Sequence, residues 1–434
     1  MRSLLLPISA LLSGVALLLL GNGLLNTLLT LRGSAEGFSP AVLGLVMSGY
    51  FVGFFLGIWI ATPLIRRVGH IRAFAFCAAL AASTALLHVV IVDQWVWLGL
   101  RVLYGIALVT LYTVIESWLN AQTAASERGR VFAIYMVVNL GALALAQQLL
   151  AFDSPLGFTL FALAAILICC ALMPVALTRQ AQPSVPDQPS ANLRHLLRVA
   201  PLSVAAAGLS GLALGAFWGM APVYANLQGF DARGVGLLMT STILGGALLQ
   251  WPIGRFSDSH DRRLVLTWVV GLAVLLALLI ALLPAGPLLL GAMFVWGGLS
   301  FAIYPIAVAQ LIDQLQADEI LAGSSGLLML NGAGSACGPL LAGALMQQFG
   351  AAAMPLYFAF TLALLGAYAL YRLRHVSDLV SEPAGHFMPM LRTSHTVLEL
   401  MPDAPAPDGE DPQPPPPPGA PAATDPSATD GETH

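Results

Sequence analysis

Arg101 is a charged residue embedded in an apolar stretch of the sequence, within GLRVLYGIAL. A guanidinium at membrane depth costs several kcal/mol unless water, lipid headgroups or polar partners relieve it, so such a residue is a candidate for function. It could bind an anionic group of a ligand. The alternative is structural, because an Arg near a helix end can extend toward the membrane interface or bond helix carbonyls.

Tyr104, Tyr112 and Glu116 share one face of a predicted helix with Arg101, within about a third of its circumference at 100° per residue. Arg101 and Glu116 are 15 residues apart, which is about 22 Å along a helix axis, so they cannot pair with each other. Three roles for Glu116 remain. They are a gate ion pair with a loop arginine, a proton site, and a solvated charge at the helix end. The loop arginines considered are Arg67, Arg72 and Arg130.

Amide side chains form a second group of candidates. Asn22 and Asn26 are an i, i+4 pair on one face of the first predicted helix. Amides at membrane depth either contact a substrate or form hydrogen bonds between helices. The same two interpretations hold for Asn139, Gln147, Gln148 and Asn331.

No pattern in the sequence brings together the groups that enzyme chemistry needs. We find no nucleophile with a base, and no His, Asp or Glu cluster suited to a metal. Cys77, Cys169, Cys170 and Cys337 lie in apolar segments without the spacing of a metal site or a disulfide framework. We therefore predict that the protein is not an enzyme, with no catalytic residue, no metal and no cofactor.

The composition indicates a membrane protein. Of 434 residues, 58% are hydrophobic and 9% are charged, whereas soluble domains carry roughly 25% charged residues. Apolar segments near the ~20 residues that cross a bilayer core recur along the chain. We predict an all-α membrane protein with 12 transmembrane helices in two six-helix bundles. The predicted spans are 5–30, 41–64, 71–92, 95–118, 130–151, 157–177, 201–225, 234–253, 263–284, 287–313, 322–346 and 352–373.

Polar, Pro-rich segments predict the domain organisation. An N-terminal six-helix bundle spans 1–178, a cytoplasmic linker 179–200, and a C-terminal six-helix bundle 201–375. Residues 376–434 are predicted to be a disordered, Pro-rich acidic tail, because DPQPPPPPGAP can neither pack a core nor continue a helix. The 18 basic residues are all arginines, and 15 of them fall in loops on one side of the predicted spans. By the positive-inside rule both termini are cytoplasmic.

A shift of 192 residues aligns the two predicted bundles without a gap. EGFSPAVLGLVMSGY, from Glu36, aligns with QGFDARGVGLLMTST, from Gln228. Because this shift covers six helices, an even number, the halves have the same orientation and form a parallel repeat. The halves differ in polarity, since Asn26, Arg101 and Tyr104 align with Trp218, Met293 and Trp296.

The loop after the eighth predicted helix reads GRFSDSHDRR. It resembles the loop motif of the major facilitator superfamily, and the matching residues are Gly254, Asp258, Arg262 and Arg263. A Gly allows close helix approach, and an Asp can cap a helix N-terminus and pair with Arg. In that family the contact closes the cytoplasmic side, so the resemblance implies a gate.

The equivalent loop in the first half, TPLIRRVGHIR, matches the motif only in Arg67, Gly69 and Arg72. Thr62 and Arg66 stand where Gly and Asp are expected. We predict that these three matching residues and Glu116 form the gate together with the motif of the second half.

Two further features carry the resemblance. RVLYG, from Arg101 to Gly105, is similar to the family's second motif, an intramembrane Arg four residues before a Gly. Together with RRVGHIR, IESWLN and ERGRVFAIYMV, it makes the chain resemble the YcaD-like branch over residues 5 to about 375.

The resemblance implies a secondary transporter that moves a small solute across the bacterial inner (plasma) membrane by alternating access. It implies that predicted helices 1, 4, 7 and 10 line a cavity. Because the first half then offers polar groups and the second half aromatic area, we predict an amphipathic or anionic small-molecule substrate. The candidate cavity residues are Asn22, Asn26, Arg101, Tyr104, Tyr112, Trp218, Trp296 and Tyr304. We predict contact with the lipid bilayer, no nucleic-acid partner and a monomer. A non-transporting nutrient sensor or scaffold on the same fold is the alternative.

Overall fold

The structure is a computed structural model that describes residues 2–176, 183, 192–316, 319–375, 387–390, 396 and 398. These residues are almost entirely helical and include no strand. The helices are α1 (Arg2–Ala35), α2 (Pro40–Val68), α3 (His70–Val90), α4 (Gln94–Ala121), α5 (Arg128–Gln148), α6 (Thr159–Cys170), α7 (Leu172–Ala176), α8 (Leu193–Val199), α9 (Pro201–Leu227), α10 (Ala232–Asp258), α11 (Arg262–Leu282), α12 (Pro287–Ile312), α13 (Ile320–Phe349) and α14 (Ala353–His375).

Twelve spans are long and apolar enough to cross a membrane in the part of the chain that the structure describes. The predicted all-α fold with 12 transmembrane helices is confirmed. The sixth span, predicted as one helix, consists of α6 and α7. It is interrupted at Ala171 because Pro174 lacks an N–H group and its ring displaces the carbonyl four residues earlier, that of Cys170. The short helix α8 lies in the predicted linker, most of which falls outside the described residues.

The turns that precede α2 and α10 are alike. Gly37 and Gly229 have φ of 84° and 92°, a region that favours glycine. Ser39 and Asp231 then cap α2 and α10 through their side-chain oxygens. Each pair is separated by 192 residues, so the sequence repeat corresponds to repeated local structure.

The repeat extends to helix packing inside each half. At Gly53, α2 crosses α4 so closely that a Cβ would overlap the carbonyl oxygen of Val102. At Gly245, α10 crosses α12, and a Cβ would overlap the carbonyl oxygen of Phe294. Both residues of the second contact lie 192 positions after those of the first. Small residues permit such backbone contact between membrane helices.

The bundle has two distinguishable ends. We call one the Arg-rich end, because the α2–α3, α4–α5 and α10–α11 connections and the adjoining helix ends place most of the loop arginines there. The arginines of this end are Arg66, Arg67, Arg72, Arg128, Arg130, Arg255, Arg262 and Arg263. The other end, formed by the α1–α2 and α9–α10 connections among others, is called the opposite end.

The two halves contact each other through α2 with α13 and α5 with α10. Toward the opposite end, a Cβ at Gly44 would overlap the carbonyl oxygen of Pro339, and one at Gly236 would lie 2.6 Å from the carbonyl oxygen of Gln147. The Oγ of Ser48 also accepts a hydrogen bond of 3.1 Å from the backbone of α13. These direct backbone contacts close the bundle at the opposite end.

Candidate functional site

A central cavity of about 910 Å³, counting its opening, lies between the halves. Helices α1, α2, α4 and α5 line it from the first half, and α9, α12 and α13 from the second. The predicted candidates that line the cavity are Asn22, Asn26, Arg101, Tyr112, Trp218 and Tyr304.

Tyr104 and Trp296 do not belong to the cavity lining. Both are completely buried inside their own halves. Trp296 stacks on Phe358 of α14 with ring centroids 4.3 Å apart. Tyr104 lies about 60° around the helix from Arg101, which turns its ring away from the cavity. Trp296, which aligns with Tyr104 in the repeat, is likewise turned away from the cavity.

Arg101 lies at the cavity wall and has no solvent exposure. Its Nη2 donates a hydrogen bond of 2.7 Å to Oδ1 of Asn26. Its guanidinium carbon is 4.6 Å from the ring centroid of Tyr50 and 5.5 Å from that of Tyr104, so two aromatic faces stabilise the cation. Nε and Nη1 have no hydrogen-bond partner among the described residues. The buried cation therefore retains donor capacity that a ligand can use.

The other amides mostly connect helices. Gln147 of α5 accepts a hydrogen bond of 2.7 Å from Thr27 of α1. Gln148 donates 2.6 Å to Thr240 across the two halves. Asn331 of α13 lines the cavity and donates 3.1 Å to a backbone carbonyl of α9. Asn22 lines the cavity, and its Oδ1 has no partner among the described residues, so it is available to a ligand.

Glu116 is fully buried near the Arg-rich end of α4. Its Oε1 accepts a hydrogen bond of 2.6 Å from the hydroxyl of Tyr135 on α5. Its Oε2 accepts one of 3.0 Å from the hydroxyl of Thr396. Glu116 lies more than one turn before the end of α4, and its carboxylate faces a neighbouring helix instead of the loop, so it is not a solvated end charge.

The arginines expected to pair with Glu116 lie elsewhere. Arg67 and Arg72 are exposed, and Arg130 is 3.8 Å from Glu127 on the adjoining turn. The expected ion pair is thus absent among the described residues of this conformation. Gly69, the fourth gate candidate of the first half, has φ of 85° and separates α2 from α3.

The loop motif of the second half forms an ion-pair network. The side chain of Arg262, 5% exposed, lies with Nη1 3.1 Å from Oδ1 of Asp258 and Nε 2.7 Å from Oδ2 of Asp313. It therefore joins the end of α10, the start of α11 and the end of α12. Arg263 pairs with Asp261, the N-cap of α11, at 3.2 Å.

The comparisons with known proteins identify the family. The Major Facilitator Superfamily profile matches residues 11–317 and 204–397. The chain belongs to the Major Facilitator Superfamily. The MFS-type transporter YcaD of Escherichia coli is 30% identical over 345 residues, covering 79% of this chain and 90% of the relative. The YcaD transporter of Escherichia fergusonii is 29% identical over the same coverage.

Solved superfamily structures show the same fold. The nucleoside transporter NupG has a TM-score of 0.69 at 16% identity, covering 86% of this chain and 99% of NupG. A bacterial homolog of the human lysosomal transporter Spinster, in an inward-facing and occupied conformation, has a TM-score of 0.67 at 13% identity, covering 85% and 96%. This superfamily member is therefore a multi-pass membrane protein and a secondary transporter of small molecules. It is not an enzyme, and the comparisons do not support the sensor alternative.

Several lining residues of this superfamily member were missed by sequence reasoning. Met47, Tyr50 and Phe51 come from α2, which we did not expect to line the cavity. The spacing of Gly49, Gly53 and Gly57 is a usable signal, because small residues four apart mark a close helix contact. This spacing predicts that α2 packs closely against another helix, and the structure shows that the other helix is α4.

Replacing Arg262 by Ala is expected to destabilise the Arg-rich end, because two carboxylates would lose their shared cation. We expect a loss of about 2–3 kcal/mol, below the about 3–5 kcal/mol of fully buried pairs, since Asp258 is partly exposed. The measurement is the Tm of the purified protein. The matched control is Arg255→Ala in the last turn of α10, where the side chain is exposed and packs on Trp251. Equal Tm values for the two variants would contradict a structural role for the network.

Proposed function

We propose that the cavity binds a small amphipathic anion and that the protein carries it by alternating access. The observation that supports this most directly is Arg101, a fully buried cation at the cavity wall with two guanidinium nitrogens that have no partner among the described residues. A buried charge is costly unless it is paired. An anionic group of the substrate would supply that pairing, and water is excluded from most of its surroundings.

The cavity wall formed by the second half of the chain is suited to an apolar portion of the substrate. Trp218 and Phe301 have ring centroids 5.9 Å apart and line the cavity together with Tyr304 and Leu214. Among the described lining residues, Arg101 is the charged one. The two walls thus favour a solute with a carboxylate or similar anion at one end and an aromatic or aliphatic group at the other.

The distribution of contacts supports a transport cycle. Backbone contacts close the opposite end, and the cavity would become accessible there when the halves rock apart and the Arg-rich ends approach each other. We assign the Arg-rich end to the cytoplasm, with both termini inside, in the inner (plasma) membrane. The moving units are the bundles 1–178 and 201–375, joined by the linker 179–200, in a monomer.

A panel of matched ligands tests the substrate class. Arylalkyl carboxylates are compared with their neutral amides and with short carboxylates that lack the ring, and a nucleoside serves as a neutral aromatic solute. We expect the arylalkyl carboxylates to raise the Tm most, because they combine an anion for Arg101 with a ring for the aromatic wall. A ligand present at about 100 times its Kd stabilises the folded protein by about 2.7 kcal/mol. Proteoliposome flux, with and without a pH gradient, then tests transport of each hit. Amides that stabilise as well as the acids would contradict the anionic assignment.

A further inference from the structure

The C-terminal segment, defined as the described residues Phe387–Met390, Thr396 and Leu398, packs against the transmembrane helices. We predicted a disordered tail over 376–434, and most of that range lies outside the described residues. The described part differs from that prediction. Met390 is 7% exposed, Leu398 is 5% exposed and Thr396 has no exposure. Burying a Met or Leu from water contributes about 1.5–3 kcal/mol each, which favours docking of this segment.

The segment contacts both halves of the transporter. On the second half, the backbone N–H of Phe387 donates a hydrogen bond of 2.8 Å to Oδ1 of Asp258. The Phe387 ring also fills the space beside Gly254 that a Cβ would need. On the first half, the hydroxyl of Thr396 donates to Oε2 of Glu116 at 3.0 Å. The segment therefore bridges the Arg-rich ends of α10 and α4.

Between these two anchors the segment reaches the cavity. Met390 lines the cavity together with Trp218, Tyr304 and Arg101. Its side chain thus occupies space that a bound solute would share. Asp258 and Glu116, to which the segment is hydrogen-bonded, are both predicted gate residues. While the segment lies between them, the Arg-rich ends of α10 and α4 cannot approach each other.

The covalent connection makes this docking effective. Phe387 lies 12 residues after His375, the last residue of α14, and a chain of that length can span up to about 40 Å. A short covalent tether can give the attached group an effective concentration in the mM range. Weak binding of the segment is therefore sufficient to keep the site largely occupied, while a tightly bound solute or a competing partner can still displace it.

We infer that the C-terminal segment is an autoinhibitory plug. It enters the cavity from the Arg-rich end, competes with the substrate through Met390, and holds the Arg-rich ends of α4 and α10 apart. Release of the segment opens the cavity to solutes and allows the Arg-rich end to close. This inference concerns access to the cavity and does not depend on which solute is carried.

Thiol labelling of the cavity tests the plug in the full-length chain. Ser335, which lines the cavity, is changed to Cys in a background whose native cysteines are replaced by Ala. The native cysteines are Cys77, Cys169, Cys170 and Cys337. Thr396→Glu removes the hydrogen-bond donor and places a second carboxylate beside Glu116. We expect this full-length variant to react with a hydrophilic maleimide about tenfold faster, because the tethered segment no longer occupies the site.

Two truncations serve as a matched pair. A chain ending at His386 lacks the segment and is expected to label as fast as Thr396→Glu. A chain ending at Pro402 retains the segment and is expected to label at the wild-type rate. A synthetic peptide of residues 387–400, added at mM concentration, should slow labelling of the shorter chain. Tm values confirm that each protein is folded.

The opposing results are equally specific. Wild-type labelling rates in both Thr396→Glu and the chain ending at His386 would overturn the inference. So would fast labelling of the chain ending at Pro402, or a peptide that leaves the shorter chain unprotected. Because the readout is the reactivity of a cavity thiol, it stays informative even if the anionic substrate class proves wrong.

Discussion

Arg101→Ala is expected to reduce uptake of an anionic solute by about 30- to 5,000-fold, because removing one partner of a buried charge pair costs about 2–5 kcal/mol. The loss has two sources. The substrate anion would enter a dry cavity without its cation, and Asn26 would lose the donor that now satisfies its Oδ1. Arg101→Lys keeps the charge but not the planar group that lies over Tyr50, so we expect intermediate uptake.

Initial uptake rates in proteoliposomes measure this effect, with the anion identified from the ligand panel. Arg233→Ala is the matched control, because Arg233 is exposed at the opposite end. It should transport at the wild-type rate. A neutral amide analogue should bind Arg101→Ala and the wild type with similar affinity. Wild-type uptake by both Arg101 variants would exclude this residue from substrate recognition.

Gly44→Leu combined with Gly236→Leu is expected to force the opposite end open. At both positions the backbone of the other half occupies the place of the added side chain. Overpacking costs about 1–3 kcal/mol per site, so each substitution shifts the equilibrium against the closed opposite end by about 5- to 150-fold. Transport should fall accordingly, because the halves can no longer complete the cycle.

The reporter for this prediction is Ser48→Cys in the same background lacking the native cysteines. Ser48 is 5% exposed between α2 and α13, so labelling should be slow in the parent protein and faster by an order of magnitude or more in the double variant. Gly271→Leu is the control, since open space surrounds that glycine on α11. If the double variant is folded and its Ser48→Cys thiol remains protected, the glycine contacts do not hold this end closed.

The span count and the repeat were predictable because they depend on properties that sequence displays directly. Apolar length specifies the number of spans, and a constant offset anticipates equivalent contacts such as those of Gly53 and Gly245. The rotation of each helix about its own axis was harder to predict from the sequence. Tyr104 was assigned to the cavity from a face covering about a third of the helix circumference, and Trp296 from its alignment with Tyr104. Both rings are instead buried within their own halves by the packing of α4 and α12 against their neighbours.

Long-range contacts of polar groups were the least predictable part. Three roles were left open for Glu116, and none of them predicted its hydrogen bonds with Tyr135 of α5 and with Thr396, 280 positions later. Neither contact leaves a periodic or compositional pattern in the sequence. The acidic, Pro-rich composition near the C-terminus also hid the few apolar residues that dock, because average composition does not report on short segments.

The contacts at the opposite end are reciprocal in a particular sense. Subtracting 192 from the second-half numbers converts Pro339 to Gln147 and Gly236 to Gly44. The contacts Gly44–Pro339 and Gly236–Gln147 therefore join the same two positions of the repeat, with the two halves exchanged. Such an isologous arrangement is what a two-fold homodimer of six-helix chains requires. Joining two such chains end to end preserves the interface and removes the requirement that the two halves have identical sequences. One copy can then hold Arg101 while the other holds Met293, an asymmetry that a dimer of identical subunits does not permit.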